Sequence, residues 1–535
     1  MNLINDPWLP IIRKNGHQEL ICPWQLTDQL NTNPIVDLDY PRLDFKGSMI
    51  QFLIGLFQTV AMPKTAKEWK NQWDMPPTPE SLRQACQKYS PAFNLDGEGP
   101  RFMQDLELEE LEKNAKPISF LFLDEPGDKT VNENRDLFIK RDRVSSLPVS
   151  EAIAALHCLH SQAPGKGSGY QTSLRGGGPL TTLLSPKDLD GNVLWHLVWL
   201  NVIPREDAQT LYNISAYDSD DEDVAIEDIF PWMAKTKVTT KEKGLLMKNS
   251  HWLQAYWGMP IRIKLCFVRG NNQAISPDFK HQVIATKCYP QPKGVKYEKW
   301  IHPLSPYGNK GKSDMYCIKP NEGGLSYKHW LGWTLGQDSL TEKKGVSPSE
   351  QISKFSRRKT GIQTQIWAFG YDFYNTNKLR GYQEAKMPLF YFENEEAQGT
   401  FKSHVTQLLL AAEEVAKNTR TAVRSAWKAD KGELGFIDSE FWQTTEVDFY
   451  RMLGKIKARV ETDVRDQAAD LLQSWHSVIC KASQTIFEKR VFSSDMTMEN
   501  TKRIVDAHQQ LMRDNYSKKI KQALGIELKQ KKEDK

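Results

Sequence analysis

The sequence predicts an α+β protein in two parts. A mixed globular region of short helices and antiparallel strands spans residues 1–390, and a C-terminal four-helix bundle spans 396–535. Three observations carry this expectation. Up to residue 390, Pro and Gly interrupt the chain repeatedly, so elements there are short. Stretches rich in β-branched and aromatic residues, "RIKLCFVRG" (262–270) and "QTQIWAFGYDF" (363–373), read as strands. After Pro388 no proline occurs, and apolar residues recur at helical spacing.

Taken in order, "SEAIAALHCLH" (150–160) reads as a helix with Ser150 as its N-cap. The acidic stretch "YDSDDEDVAIED" (217–228) reads as a surface loop; it lacks the glycine and the terminal glutamate that an EF-hand requires. In the bundle, Phe401, Val405, Leu408, Leu409, Ala412 and Val415 mark the first apolar face, and Phe449, Met452, Leu453 and Ile456 the second. Val464, Ala468, Leu471, Leu472, Trp475 and Ile479 mark the third, and Ile504, Val505, Leu511 and Met512 the fourth. Helices joined by short polar connections bury such faces most simply as a bundle. The lysine-rich end, "KKIKQALGIELKQKKEDK", is expected to fray.

Composition narrows the function. The 535 residues carry a net charge of +4, so any nucleic-acid surface is a local patch. No run of eighteen apolar residues occurs and no signal-peptide pattern opens the chain, so a cytoplasmic protein that does not engage membranes is expected. The seven cysteines are scattered with no C-x-x-C pair, against a disulfide framework or a Cys-rich zinc site. Sixteen tryptophans predict aromatic anchors in a large core or at interfaces.

The unusual segment is "APGKGSGYQTSLRGGGPLTTLL" (163–184), with six glycines and two prolines. It has neither the Walker A order nor the dinucleotide-binding spacing, since Tyr170 stands where a third glycine would be. It can serve as turns, or its bare backbone can approach a ligand closely. His157 and His160 share a helix face at a spacing that zinc ligands can use, but no second ligand pair accompanies them, which favours packed histidines. Two basic clusters suggest phosphate contacts: Lys140, Arg141 and Arg143 beside Phe138, and Lys354, Arg357, Arg358 and Lys359 before a strand. "KGVKYEKW" (293–300) is a third. No nucleophile elbow, H-E-x-x-H motif or kinase signature is present, so no catalytic residues and no cofactor are expected.

Several stretches in order resemble one family. "NLINDPWLPI", "APGKGSGYQTSLRGGGPLTT", "WLQAYWGMPIRIKL" (252–265), "WIHPLSPY" (300–307) and "FGYDFYNTNKLRGYQEAKMPLF" (369–390) are similar to the CasA family, the large subunit of the type I-E CRISPR Cascade surveillance complex. The resemblance spans essentially the whole chain. It implies a non-catalytic subunit that reads the protospacer-adjacent motif (PAM) of double-stranded target DNA from the minor groove and starts R-loop formation. The implied partners are the guide-RNA-containing Cascade subunits and a recruited helicase–nuclease.

Residue by residue, the resemblance implies a DNA-binding glycine loop at Gly165, Lys166, Gly167, Ser168 and Gly169, and a lysine finger at Lys293 or Lys296. It implies a strand-separating wedge at Asn375, Thr376 and Asn377, and a loop touching guide and duplex around Phe138, Lys140, Arg141 and Arg143. Some relatives carry two C-x-x-C pairs; "KRDRVSS" and "FVRGNNQ" stand here instead, so no structural metal is expected. The physics agrees with the motifs. The minor groove is narrow and its hydrogen-bond pattern degenerate, so a backbone without side chains fits it, and a lysine can donate to its acceptors. Two rival readings are a nucleotide- or phosphate-binding enzyme using the glycine loop, and a purely structural assembly scaffold.

Overall fold

The computed structural model describes all residues except 138, 142, 166–168, 188–192, 215–223, 240–242, 270–282, 310–314, 338–344, 356–357, 359, 375–377, 429–433, 493–497 and 527–535. The chain forms two compact units: Met1–Pro320 with Pro348–Lys386, and Asn321–Ser347 with Met387–Lys535.

At the centre of the first unit is the helix Leu43–Val60, buried at nearly every position from Asp44 to Thr59. Its sequence, "LDFKGSMIQFLIGLFQTV", is apolar on all sides, the pattern of a helix enclosed by protein. The helix Val149–Gln162 packs against it. Ser150 lies inside that helix, whose N-cap is Pro148 and carries no side-chain cap, so the expected serine cap is not formed. The pair Leu147–Pro148 is already held in a sheet by Val283–Cys288, and that pairing sets the helix start.

The tryptophans build the core. Phe52 meets Trp8, Phe93, Phe102 and Trp257 edge-on at 5.6 to 6.3 Å. Trp73, Trp69, Trp199 and Trp195 stack in sequence, neighbouring centroids 5.0 to 6.4 Å apart. Over Trp69, at 4.9 Å, lies the guanidinium of Arg358, 5% exposed and donating to the Leu200 carbonyl. This corrects the expected basic patch: Arg358 is a core residue, because the flat guanidinium stacks on indole while its Nη1 group reaches backbone.

Among the described residues, several small sheets accompany the helices, most of them antiparallel. Gln18–Ile21, Leu9–Arg13 and Ile35–Leu38 lie side by side in that order. Leu265–Arg269, inside the first expected strand, pairs with Val283–Cys288. The second expected strand, Thr364–Tyr374, runs between Lys378–Pro388 and Thr181–Pro186, with Thr364 opposite Pro186 and Phe369 opposite Thr181. The glycine-rich segment therefore leads directly into the sheet that carries the hairpin 364–388. Of the acidic stretch, 217–223 lies outside the described residues, and Ile226–Ile229 is a short helix.

The second unit holds four long helices, Glu395–Trp427, Gly435–Thr462, Ala469–Val491 and Met498–Asn515, followed by the short helix Lys518–Ala523. Asn394 caps the first by accepting the Glu396 and Ala397 N–H groups at 2.8 and 3.4 Å. The expected faces are mostly buried, from Phe401 to Val415 and from Phe449 to Ile456. Val464 instead lies in the turn before the third helix, and Val505 is 44% exposed. The segment 321–347 joins this unit through Tyr327, whose ring stacks on Phe449 at 4.2 Å and whose hydroxyl bonds Thr445 Oγ1 at 2.8 Å.

Candidate nucleic-acid interface

The loop 163–173 springs from the C-terminal end of the helix Val149–Gln162. Its ends are tied by the Ser173 N–H donating to the Ala163 carbonyl at 3.0 Å. Past the tie, the chain turns inward. Arg175 is 7% exposed and donates to Gln51 Oε1 at 2.8 Å and to Thr181 Oγ1 and Ser305 Oγ at 3.0 Å. Gly178 has φ +61°, and a Cβ there would lie 2.5 Å from the Phe373 ring and 2.6 Å from the Tyr371 carbonyl. Only glycine lets this backbone rest against the hairpin strand.

Before the tie, the loop faces outward. Gly165 is half-buried and Gly169 exposed; Lys166, Gly167 and Ser168 lie outside the described residues. Gly169, at φ +94°, has its would-be Cβ 2.9 Å from Pro292 Cβ, and its carbonyl accepts the Lys293 N–H at 2.8 Å. Glycine loop and lysine turn, far apart in the chain, are thus hydrogen-bonded neighbours. The structure also separates the two lysines. Lys293 is exposed at a positive φ of 63° with no ion pair among the described residues. Lys296 is engaged by Glu298, whose carboxyl it holds below the usual range by hydrogen bonding.

Beside the loop opens a cleft of about 1020 Å³. Pro164, Gly165 and Tyr170 form one side, the segment 116–141 another, and Lys378, the first residue of the hairpin's second strand, a third. Its walls carry Lys116, Lys129, Arg135, Arg141 and Lys378 against Glu125 and Glu133, a positive balance suited to a polyanion. Phe120 and Tyr170 meet there at 6.0 Å. Lys116, Lys129, Arg135 and Lys378 were not singled out from the sequence, because they are scattered singly along it and only the fold gathers them.

The loop expected to touch guide and duplex borders this cleft. Phe138 lies outside the described residues; Lys140 and Arg143 are exposed. Arg141 grips Asp136 with two hydrogen bonds of 2.7 Å, reaches the Val131 carbonyl at 2.9 Å, and holds the Asp136 carboxyl below its ordinary range. It shapes the loop. In the second basic cluster, Arg357 and Lys359 lie outside the described residues, and Lys354 is half-buried, 3.8 Å from Glu350. The wedge residues Asn375, Thr376 and Asn377 also lie outside them; the strands that carry them end at Tyr374, 48% exposed, and begin again at Lys378.

The histidine pair is packed core. His157 Nδ1 bonds Ser48 Oγ at 2.7 Å and His160 Nε2 the Met103 carbonyl at 3.0 Å. Burial pushes these imidazoles down to about 3 and about 4. Among the described residues, no three His, Cys, Asp or Glu side chains converge to hold a metal, and no helix is long and apolar enough to cross a membrane.

The first unit is a mixed α+β body with a basic cleft beside a glycine-rich loop, and the second is helical. The profile of the family described as CRISPR-associated protein Cse1 matches residues 2–486, and the chain belongs to that family, the CasA (Cse1) large subunits of the Cascade surveillance complex. Thermobifida fusca Cse1 is similar with a TM-score of 0.68 at 14% identity, covering 98% of each chain. Thermus thermophilus CasA gives 0.66 at 14% identity over 98% of this chain and 99% of its own. A chain of a "CRISPR RNA-guided surveillance complex" gives 0.65 at 13% identity over 96% of this chain and 99% of its own.

Proposed function

We propose that this chain is the non-catalytic DNA-recognition subunit of a cytoplasmic type I-E Cascade complex. In this reading it finds the PAM of duplex DNA through the minor groove, begins strand separation beneath the guide RNA, and presents a docking surface for the helicase–nuclease. The observation that carries it is the pairing of exposed Gly169 with the Lys293 turn at the edge of a basic cleft. Backbone lies along the groove floor where a side chain would clash. The Lys293 ammonium donates to the acceptors that every base pair presents there. The cleft's lysines and arginines hold phosphates, which orient the duplex without reading sequence. Asn375, Thr376 and Asn377 then enter beside the last PAM pair. Opening a step costs a few kcal/mol, and the first guide–target pairs offset it because R-loop exchange is nearly balanced.

The test is Lys293→Ala beside Lys296→Ala in the assembled complex, measured on PAM and non-PAM duplexes across salt. Lys293→Ala is expected to weaken PAM-duplex binding about tenfold and to lower the salt slope by about 1. Lys296→Ala is expected to do far less, since its charge is already engaged by Glu298. Equal effects, or none, refute the reading.

A further inference from the structure

Asp44 opens the central helix and is 7% exposed, yet it is a carboxylate. A buried charge persists only if donors surround it. Three do. Arg42 gives it Nε at 3.0 Å and Nη2 at 2.9 Å, and the hydroxyl of Tyr371, on the hairpin strand, donates to its Oδ2. Arg42 does not stop there. It also reaches both oxygens of Asp124 at 3.1 and 3.3 Å, and its guanidinium lies 5.0 and 4.9 Å from the Phe45 and Phe122 rings. Asp124 sits between Leu123 and Glu125, which line the cleft. A continuous line of charge-assisted hydrogen bonds therefore runs from the cleft wall through Arg42 and Asp44 to the hairpin. Tyr371 meets it four residues before the expected wedge.

We propose that Tyr371 and Arg42 are positioning residues for strand opening, locking the hairpin to the cleft wall so that its tip does not yield when pressed into the duplex. This rests on the proposed function. A wedge transmits force only if the strand behind its tip is fixed, and the end of the strand Thr364–Tyr374 has two fixings. Gly178 packs flush against Tyr371 and Phe373. The Asp44 carboxylate holds the Tyr371 ring from its far end. The second is polar and directional, so it sets the angle of the strand as well as its depth. Arg is required at position 42 because only a fork can serve two carboxylates while stacking between two rings.

The experiment uses the assembled complex, a PAM duplex with a fluorescent base analogue at the first protospacer pair, and the same duplex carrying a pre-opened bubble there. Tyr371→Phe keeps the ring and leaves Asp44 its Arg42 partner; Asp124→Asn cuts the line at its exposed end. Both are expected to bind PAM duplex within about twofold of wild type and to open it roughly three- to tenfold more slowly, the loss of one charge-assisted bond. On the bubble both are expected to match wild type. Slowing that persists on the bubble, or wild-type opening on paired DNA, overturns the inference. Loss of PAM affinity in step with melting temperature overturns it also, since that marks a fold role alone. The proposed function fails separately, through intact PAM binding by Lys293→Ala.

Discussion

The segment 163–184 contains two glycine clusters of similar composition and opposite fate. Gly165 borders open space, where a Cβ would meet nothing within 4 Å, and Gly169, though exposed, abuts Pro292 on one side. Gly178, a few residues on, is wedged against the hairpin, beside buried Arg175 with its ring of neutral hydrogen-bond partners. The tie from Ser173 to Ala163 divides them. One stretch of bare backbone thus serves as a surface on one side of the tie and as a close-packed joint on the other. Glycine content alone does not report its use; what each missing Cβ would have touched does.

The largest effect bearing on this contrast is expected at the joint. Gly178→Val adds side-chain atoms where the Phe373 ring and Tyr371 carbonyl already stand, at a left-handed φ. A loss of roughly 3–5 kcal/mol follows from overpacking plus backbone strain, read as a lowered urea midpoint. Acid comes next. His157 and His160 are held at about 3 and about 4, and His302 well below its ordinary range, all by burial. Their folded pKa values lie below the unfolded value of about 6.5. The unfolded chain therefore binds more protons, and the stability present above that value is lost as pH falls from about 6.5 towards about 4 for His160 and about 3 for His157. Each histidine contributes up to ~1.4 kcal/mol per pH unit there. Urea midpoints at pH 7, 5.5 and 4.5 measure it, and His160→Gln should flatten the slope.

The smallest effect on stability, and a large one on binding, is expected at the surface cluster. Gly165→Asp meets no neighbour, so the melting temperature should stay near wild type, as for surface changes worth about 0.5 kcal/mol or less. Affinity for PAM duplex should fall at least about tenfold, because a carboxylate then faces phosphates. A melting loss without a binding loss would reverse the assignment of the two clusters.

The same contrast explains how much was legible beforehand. The helical unit was legible because its periodic apolar faces and lack of proline leave one economical packing; Phe401 through Val415 are buried as expected. Tyr327 was not, since it lies in a broken segment far from the helices whose core it fills. The strands 265–269 and 364–374 announced themselves by composition. Arg358 did not announce its burial, because a run of four cations says nothing about which one finds an indole stack. The glycine loop was visible as an oddity. That Lys293, and not Lys296, is the uncommitted neighbour depended on Glu298 two positions on and on a hydrogen bond between distant segments. The remaining cleft cations, such as Lys129 and Lys378, are isolated in the chain and converge only in the fold.

The most direct test of groove reading changes the DNA and leaves the protein untouched. PAM duplexes in which purines are replaced by 3-deaza analogues lose minor-groove acceptors, while 7-deaza analogues lose major-groove acceptors only. Minor-groove reading predicts roughly ten- to hundredfold weaker binding of the assembled complex to the 3-deaza duplex, the worth of one hydrogen bond to a charged donor, and unchanged binding to the 7-deaza duplex. Undiminished binding to the 3-deaza duplex, with loss on the 7-deaza one, would contradict it.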